Sequence, residues 1–362
     1  MSTHKAIATT GLGKVEEIQL PTPTPGPGEV LIKIAYGGLS PADAYVADLG
    51  LFIREYPVVL GFNISGNVQQ LGEGVDDLKV GDRVIVGAFA PRTSTAAQQY
   101  CVQSRSVIGK IPDSLPLDAA TTIPDNVITA FYAVFNQLGL PIPSSFPPTS
   151  PPANADVPIL VYGAGATSGQ YALQLLRAAG YTKILATASP RNHEAAKDFG
   201  AHAVFDYKSP TLAEDVAKFV GGNGKVKLVL DSISAEGTMK LVSGLVDEDG
   251  VVGMLMPIKK GNGLSINKME DILLGIPTES SNPFASGVKL VAIRTLLYQQ
   301  DPYLRDNLMP TIIPKLLEDN IIRPTRVRLL DQGSLLERVT TGLNLLRNGQ
   351  VSGEKVVVKI DH

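Results

Sequence analysis

Between Ile159 and Leu176 the sequence reads ILVYGAGATSGQYALQLL. Ile159–Tyr162 is a short apolar run of the kind that forms a buried strand. Gly163, Gly165 and Gly169 follow, and then Tyr171, Leu173, Leu175 and Leu176 at helical spacing. A strand that turns through glycines into a helix converges the first N–H groups of that helix on one point. Such a point binds phosphate. Ala166, Thr167 and Ser168, between the glycines where the turn meets the helix, are with the three glycines the expected cofactor-binding residues. The spacing is G-x-G-x-x-x-G, one residue longer than the common G-x-G-x-x-G. An ordinary strand-to-helix turn also uses glycines, so the reading depends on the surrounding pattern.

From Ile159 onward strands and helices alternate. The sequence predicts strands at Ile159–Tyr162, Lys183–Thr187, Ala203–Phe205, Val226–Asp231 and Gly250–Leu255. Helices are predicted at Ser168–Ala179, Asn192–Phe199, Leu212–Val220 and Gly237–Leu245. This alternation implies right-handed crossovers and a parallel sheet covered on both faces, a doubly wound α/β domain. Residues 1–125 read differently. Short apolar runs such as Val30–Tyr36 and Arg83–Val86 are separated by turn clusters at Pro21–Glu29, Leu71–Asp77 and Lys79–Asp82, which predicts mostly β structure. Asp125–Leu138 has helical periodicity, and the proline- and serine-rich Pro141–Pro158 is a loop or linker. The tail from about Asp301 is mixed and ends in a strand at Lys355–Ile360.

At 362 residues the chain can form two domains with separate cores. Hydrophobic residues at 44% and charged residues at 19% fit a globular protein. A net charge of −3 gives no reason to expect nucleic acid or an anionic membrane as partner. The single cysteine, Cys101, excludes an internal disulfide and a multi-cysteine zinc site. MSTHKAIATTG lacks the apolar core of a secretory signal, and no apolar run reaches the roughly 18 residues of a membrane span. The expected compartment is the cytoplasm, where the sequon Asn63-Ile64-Ser65 carries no glycan. The four histidines, His4, His193, His202 and His362, share no motif.

The end of the second strand bears on which dinucleotide fits. NAD-binding domains place an acidic residue there to accept hydrogen bonds from the ribose hydroxyls. This chain has Ala188-Ser189-Pro190-Arg191-Asn192, with no Asp or Glu. A carboxylate would repel a 2′-phosphate, whereas Arg191 would pair with it and Ser189 and Asn192 are neutral. NADPH is therefore the expected cofactor. Ser189-Pro190 also reads as a helix start, and both readings can hold at once. Tyr207, just past the third strand, would lie against the same phosphate; a surface tyrosine is its bland alternative.

Several segments together carry a resemblance. They are Ser40-Pro41-Ala42-Asp43-Ala44-Tyr45, Gly61-Phe62-Asn63-Ile64-Ser65-Gly66, Val80-Gly81-Asp82-Arg83-Val84, Ile111-Pro112, Ala119-Ala120, Thr129-Ala130 and Gly349–Lys355 with its Ser-Gly-Glu-Lys. In order and spacing the whole chain resembles the medium-chain dehydrogenase/reductase superfamily. Within it the chain is similar to the zinc-free quinone oxidoreductase and enoyl reductase branch, above all to fungal trans-acting enoyl reductases. The resemblance implies a GroES-like, mostly β substrate domain at 1–127 and 306–362. It implies a Rossmann NADP-binding domain at 128–305, with nicotinamide and substrate in the cleft between the two. The zinc-dependent branch has a cysteine where this chain has Ser40 and a His-Glu pair where it has Phe62-Asn63. These residues cannot make a tetrahedral zinc site, so no metal is expected.

What the resemblance implies is hydride transfer to an already activated acceptor: the C=C of an enone, enal or enoyl thioester, or a quinone. Tyr45 is the candidate hydrogen-bond donor, or simply lines the cleft. A second tyrosine of related quinone reductases corresponds to Phe52. The resemblance also places Ser40, Asp43, Thr129, Leu255, Met256, Ser352, Gly353 and Lys355 at the cofactor. Each has a structural alternative: Asp43 as a helix cap, Thr129 as a helix-interior residue, Lys355 as a solvated lysine. A quinone reductase, a reductase of polyketides held on a carrier protein, and a cofactor-binding protein without turnover remain open. A monomer is expected, because Pro257, Pro277 and Pro283 would remove donors from a sheet edge and because the fungal branch implies it.

Overall fold

The computed structural model describes residues 2–89, 94–261 and 268–362, which fall into two compact units. Unit 1 runs to Ile128 and resumes at Tyr298. Unit 2 takes the chain from Thr129 to Leu297, apart from Lys268 and Met269, which group with unit 1.

Unit 1 opens with β1 (Thr3–Gly11), β2 (Lys14–Pro21), β3 (Glu29–Leu39) and helix α1 (Pro41–Leu49). There follow β4 (Val58–Val59), β5 (Asn63–Leu71), β6 (Arg83–Gly87), β7 (Tyr100–Ser104), β8 (Ile108–Lys110) and α2 (Leu117–Ala120). β3, β5, β6 and β8 are successive antiparallel neighbours, β7 pairs with β3, and β2, β1 and β4 form a smaller sheet. Turn chemistry fixes the reversals: the Asp82 carboxylate accepts the Lys79 N–H at 3.0 Å before β6 begins. Val30, Ile32, Ile34, Ile64, Val84 and Val86 are fully buried in the core. Each such side chain stabilises by about 1.5–3 kcal/mol. α1 starts at Pro41, whose ring presets the helical φ, and stops at Gly50, which takes φ 70°. Helix α3 (Pro124–Phe131) contains the boundary between the units.

Unit 2 alternates as the sequence predicts. Its elements are β9 (Ile159–Tyr162), α4 (Thr167–Ala178), β10 (Ile184–Ala188), α5 (His193–Phe199), β11 (Ala203–Asp206), α6 (Leu212–Val220), β12 (Val226–Asp231), α7 (Glu236–Ser243) and β13 (Val246–Leu255). After two short strands, β14 (Ile258–Lys259) and β15 (Ile272–Leu273), comes β16 (Lys289–Ile293). The parallel sheet has six strands in the order β11-β10-β9-β12-β13-β16. Every residue of β9 and β10 is buried, which is why both read as continuous apolar runs. The order reverses between β9 and β12, and in such sheets the crevice beyond the carboxyl ends at that point receives the ligand. β16 is not among the five strands the sequence predicts, and it forms one edge of the sheet, opposite β11. It contains no proline, so the proline argument for a monomer does not bear on the strand that forms this edge.

Back in unit 1 the chain forms α8 (Pro302–Asn307), α9 (Ile313–Glu318), β17 (Arg326–Leu330), α10 (Leu335–Arg347) and β18 (Glu354–Lys359). β18 lies between β17 and β3, and so completes the large sheet. α10 is a helix the sequence reading leaves unassigned. Its signal is Ser334-x-x-Glu337, where the Glu337 carboxylate accepts the Ser334 N–H at 2.7 Å and Ser334 Oγ accepts the Glu337 N–H at 3.3 Å. Among the described residues no helix is long and apolar enough to cross a membrane.

Candidate cofactor cradle and reaction residues

At the carboxyl end of β9, Gly163 takes φ 79°, and the Ile233 side chain occupies the space a Cβ would need. The turn is tied to β10: Gly163 N–H donates to Thr187 Oγ1 at 3.0 Å and Ala164 N–H to the Thr187 carbonyl at 2.8 Å. A Cβ on Gly169 would stand 2.9 Å from Ala164 Cα and 3.0 Å from the Gly163 carbonyl. That glycine lets α4 pack directly on the turn. Ala166 at the N-cap of α4 has no side-chain acceptor, and the first turn carries no acidic residue. The positive end of a twelve-residue helix is thus not neutralised by the helix itself.

Beside it, β10 ends at Ala188 and a short turn, Pro190–Asn192, leads into α5. Ser189 is half-buried and Arg191 exposed. Asn192 is 3% exposed, and its Nδ2 donates to Ser189 Oγ at 3.2 Å. The parallel register sets Asp206 level with Ala188. Sequence reasoning sought an acid only on the second strand and passed over this one. One Asp206 oxygen accepts the Lys208 N–H at 2.9 Å. Tyr207 is exposed, and Lys208 Nζ lies 5.6 Å from the centre of its ring.

The next strand contributes a feature the sequence reading does not contain. Asp231, at the end of β12, is fully buried. Its carboxylate accepts the N–H groups of Ile233 and Ser234, each at 2.9 Å, and the Thr238 hydroxyl at 2.5 Å. Burial pushes its pKa up, against the pull of those donors. Lys259 donates to the Ile233 carbonyl, and burial lowers its pKa while Asp231 opposes the shift. This network fixes the turn that puts Ile233 under Gly163. It also leaves Ser232 Oγ buried, without a hydrogen-bond partner among the described residues, 3.3 Å from where a Gly169 Cβ would lie. The legible signal was Asp-x-x-Ser with a threonine seven residues after the acid. Leu255 ends β13, and Met256 N–H donates to the Ile293 carbonyl at 3.0 Å. Thr129, in α3, shares a 2.9 Å hydrogen bond with Thr295. Burial also raises the pKa of Tyr162, with Asp231 and Tyr207 adding to the shift.

These observations fit a dinucleotide. The turn is bare where a Cβ would obstruct it, an uncapped helix end faces it, and an orphaned hydroxyl lies beneath it. Gly163, Gly165, Ala166, Ser189, Arg191, Asn192, Tyr207, Leu255 and Met256 belong to the carboxyl edge of this sheet or the turns leaving it, and Thr167, Ser168 and Gly169 to the first turn of α4.

Unit 1 carries the other named residues. Tyr45, in α1, is 8% exposed, and burial pushes its pKa up to about 12. At neutral pH it is an intact O–H donor and a weak acid. Ser40 precedes α1, and Asp43 is 1% exposed. The Asp43 carboxylate accepts the Ser40 N–H at 2.7 Å, the Ser40 hydroxyl at 3.3 Å and the Gly61 N–H at 2.6 Å. It therefore fastens the start of α1 to the strand region of Gly61. Phe62 packs 6.2 Å from Phe89, centre to centre, and Asn63 Oδ1 accepts the Asp125 N–H at 2.9 Å. Lys355 is buried, with Nζ 3.1 and 3.2 Å from the two Asp125 oxygens. The solvated lysine of the sequence alternatives is thus excluded: the ammonium is inside, paired. Gly353 takes φ 72° and its carbonyl accepts Arg326 Nε at 3.3 Å, while Ser352 is half-buried. Phe52 is 54% exposed and also has positive φ, 60°.

A β unit carrying a buried phenol and a doubly wound unit with a dinucleotide cradle define a nicotinamide-dependent oxidoreductase of the alcohol dehydrogenase type. Residues 26–122 match the alcohol dehydrogenase GroES-like domain, and residues 169–269 the zinc-binding dehydrogenase family. The chain is 30% identical over 336 residues to the trans-enoyl reductase himH of Aspergillus japonicus, covering 92% of this chain and 90% of that one. It is 30% identical over 339 residues to lovC of Aspergillus terreus, the enoyl reductase component of lovastatin nonaketide synthase, covering 92% and 89%. The CurK enoyl reductase shares its fold, with a TM-score of 0.78 at 20% identity over 99% of this chain and all of that one. The chain belongs to the medium-chain dehydrogenase/reductase superfamily, in the branch of these enoyl reductases.

Proposed function

We propose that this protein is an NADPH-dependent reductase of the activated C=C bond of an enone, enal or enoyl thioester. The observation that carries this reading is the contrast between a furnished cofactor cradle and a sparsely furnished reaction side. Gly163–Gly169 and the start of α4 would hold the pyrophosphate, and Ser189, Arg191 and Tyr207 the 2′-phosphate. Arg191 and Lys208 outnumber Asp206 in charge around that position, and one Asp206 oxygen is already engaged. The reduced nicotinamide supplies a hydride when bound. Tyr45 donates a hydrogen bond to the acceptor oxygen of the substrate as negative charge builds there, and its raised pKa keeps the proton on the phenol. Asp43 holds the start of α1, and with it Tyr45, in place. The residues at the positions of the zinc ligands, Ser40, Phe62 and Asn63, have the wrong chemistry for a tetrahedral site and are engaged in the packing and hydrogen bonds described above.

A localised alkoxide needs strong stabilisation, whereas an enolate spreads its charge over several atoms. One phenol suits the second case. The enoyl reductase relatives favour a thioester, free or carried on a polyketide carrier protein, over a quinone. Titration with NADPH and with NADH tests the cofactor reading: NADPH should bind at least about tenfold tighter, a difference of about 1.4 kcal/mol. Equal dissociation constants would refute it.

A further inference from the structure

Asn192 stands at the N-cap position of α5, yet its side chain caps nothing. It is 3% exposed, and its amide lies on the side of Ser189 and Gly165. Its Nδ2 donates to Ser189 Oγ at 3.2 Å and is also the nearest atom, at 3.0 Å, to the point a Gly165 Cβ would occupy. Ser189 caps nothing with its side chain either. A hydroxyl has one proton and two lone pairs. Asn192 fills one lone pair, so the Ser189 proton is left to point at an acceptor outside the turn. A phosphate oxygen is such an acceptor. A ribose hydroxyl both donates and accepts, and gains less from a neighbour with fixed polarity.

We infer that Asn192 is a positioning residue for cofactor choice: it orients the Ser189 hydroxyl as a committed donor to the 2′-phosphate, and itself need not touch the cofactor. This rests on the NADPH reading above.

The test is cofactor titration of the full chain, followed by fluorescence, for wild type, Asn192→Ala, Asn192→Asp, Ser189→Ala and the Ser189→Ala/Asn192→Ala double variant. Asn192→Ala and Ser189→Ala should each lower the NADPH-over-NADH preference about 3- to 10-fold, the range of one lost hydrogen bond. The double variant should lose no more than Ser189→Ala alone, because Asn192 acts through Ser189. NADH affinity should stay within about twofold throughout. Asn192→Asp, nearly isosteric and unable to donate when ionised, should lose at least as much preference as Asn192→Ala, and it serves if the alanine variant does not fold. Additive losses in the double variant overturn the inference, as does an equal weakening of NADPH and NADH in Asn192→Ala. A wild type without preference refutes the NADPH reading itself. A wild type that prefers NADPH beside an unchanged Asn192→Ala refutes only the role of Asn192.

Discussion

The carboxyl edge of the unit 2 sheet and the Ser40–Asn63–Lys355 region of unit 1 use polar groups in opposite ways. In unit 2 an alanine sits at the N-cap of α4, Ser232 Oγ has no hydrogen-bond partner among the described residues, and Ser189 Oγ accepts a bond from Asn192 Nδ2. In unit 1 Asp43 accepts three protein donors, Lys355 is paired with Asp125, and Asn63 Oδ1 holds the Asp125 N–H. On the function proposed above, the first region offers its hydrogen-bonding capacity to a ligand; in the second, Asp43 and Lys355 help hold α1, α3 and β18 together, while Asn63 Nδ2 is buried without a hydrogen-bond partner among the described residues. The lesson concerns the chemistry. With Asp43, Asp125 and Lys355 paired inside the protein, the function proposed above gives the Tyr45 phenol the hydrogen bond to the substrate, which suits an acceptor that is reactive already.

Breaking the unit 1 pair gives the largest effect. Lys355→Met leaves Asp125 buried without its counter-charge, which costs about 3–5 kcal/mol of stability. Adding Asp125→Leu should restore most of it, as read from urea midpoints. If the double variant is stable yet binds NADPH more than about tenfold more weakly, a loss above about 1.4 kcal/mol, Lys355 is a cofactor contact and the contrast fails.

The counterpart in unit 2 is Gly169→Ala. Its Cβ would press on Ala164 Cα and the Gly163 carbonyl, so α4 must move off the turn. NADPH and NADH should both weaken by at least about tenfold, while the urea midpoint shifts less than in Lys355→Met. Unchanged affinity for both cofactors would show that the turn is not their site.

Tyr45→Phe should give the smallest effect. A single hydrogen bond that water can replace predicts a fall in kcat of about tenfold or less, with the NADPH dissociation constant unchanged. A loss of about 10²–10³ in kcat would make the phenol an essential donor and bring unit 1 closer in character to unit 2.

The alternation of unit 2 was legible because parallel strands buried on both faces read as continuous apolar runs, and the helices between them keep their own period. β16 was not, since Lys-Leu-Val-Ala-Ile is short and follows a stretch rich in glycine and proline. The glycine turn could be read because its residues are adjacent. The level placement of Asp206 with Ala188 could not, because it comes from strand register. Asp43 and Lys355 were read through the resemblance as facing the cofactor. That Asp43 bonds to Gly61 and Lys355 to Asp125 depends on partners 18 and 230 residues away. The α1 cap was legible in Ser-Pro-x-Asp, and the sequence alternatives included it.

The most direct test of the account is the product formed from an α,β-unsaturated aldehyde with NADPH. The account predicts the saturated aldehyde, with one NADPH consumed per double bond reduced and no reduction of a saturated ketone or aldehyde. The allylic alcohol as product would mean that unit 1 can stabilise a localised alkoxide, and would contradict the reading of its polar groups as turned inward.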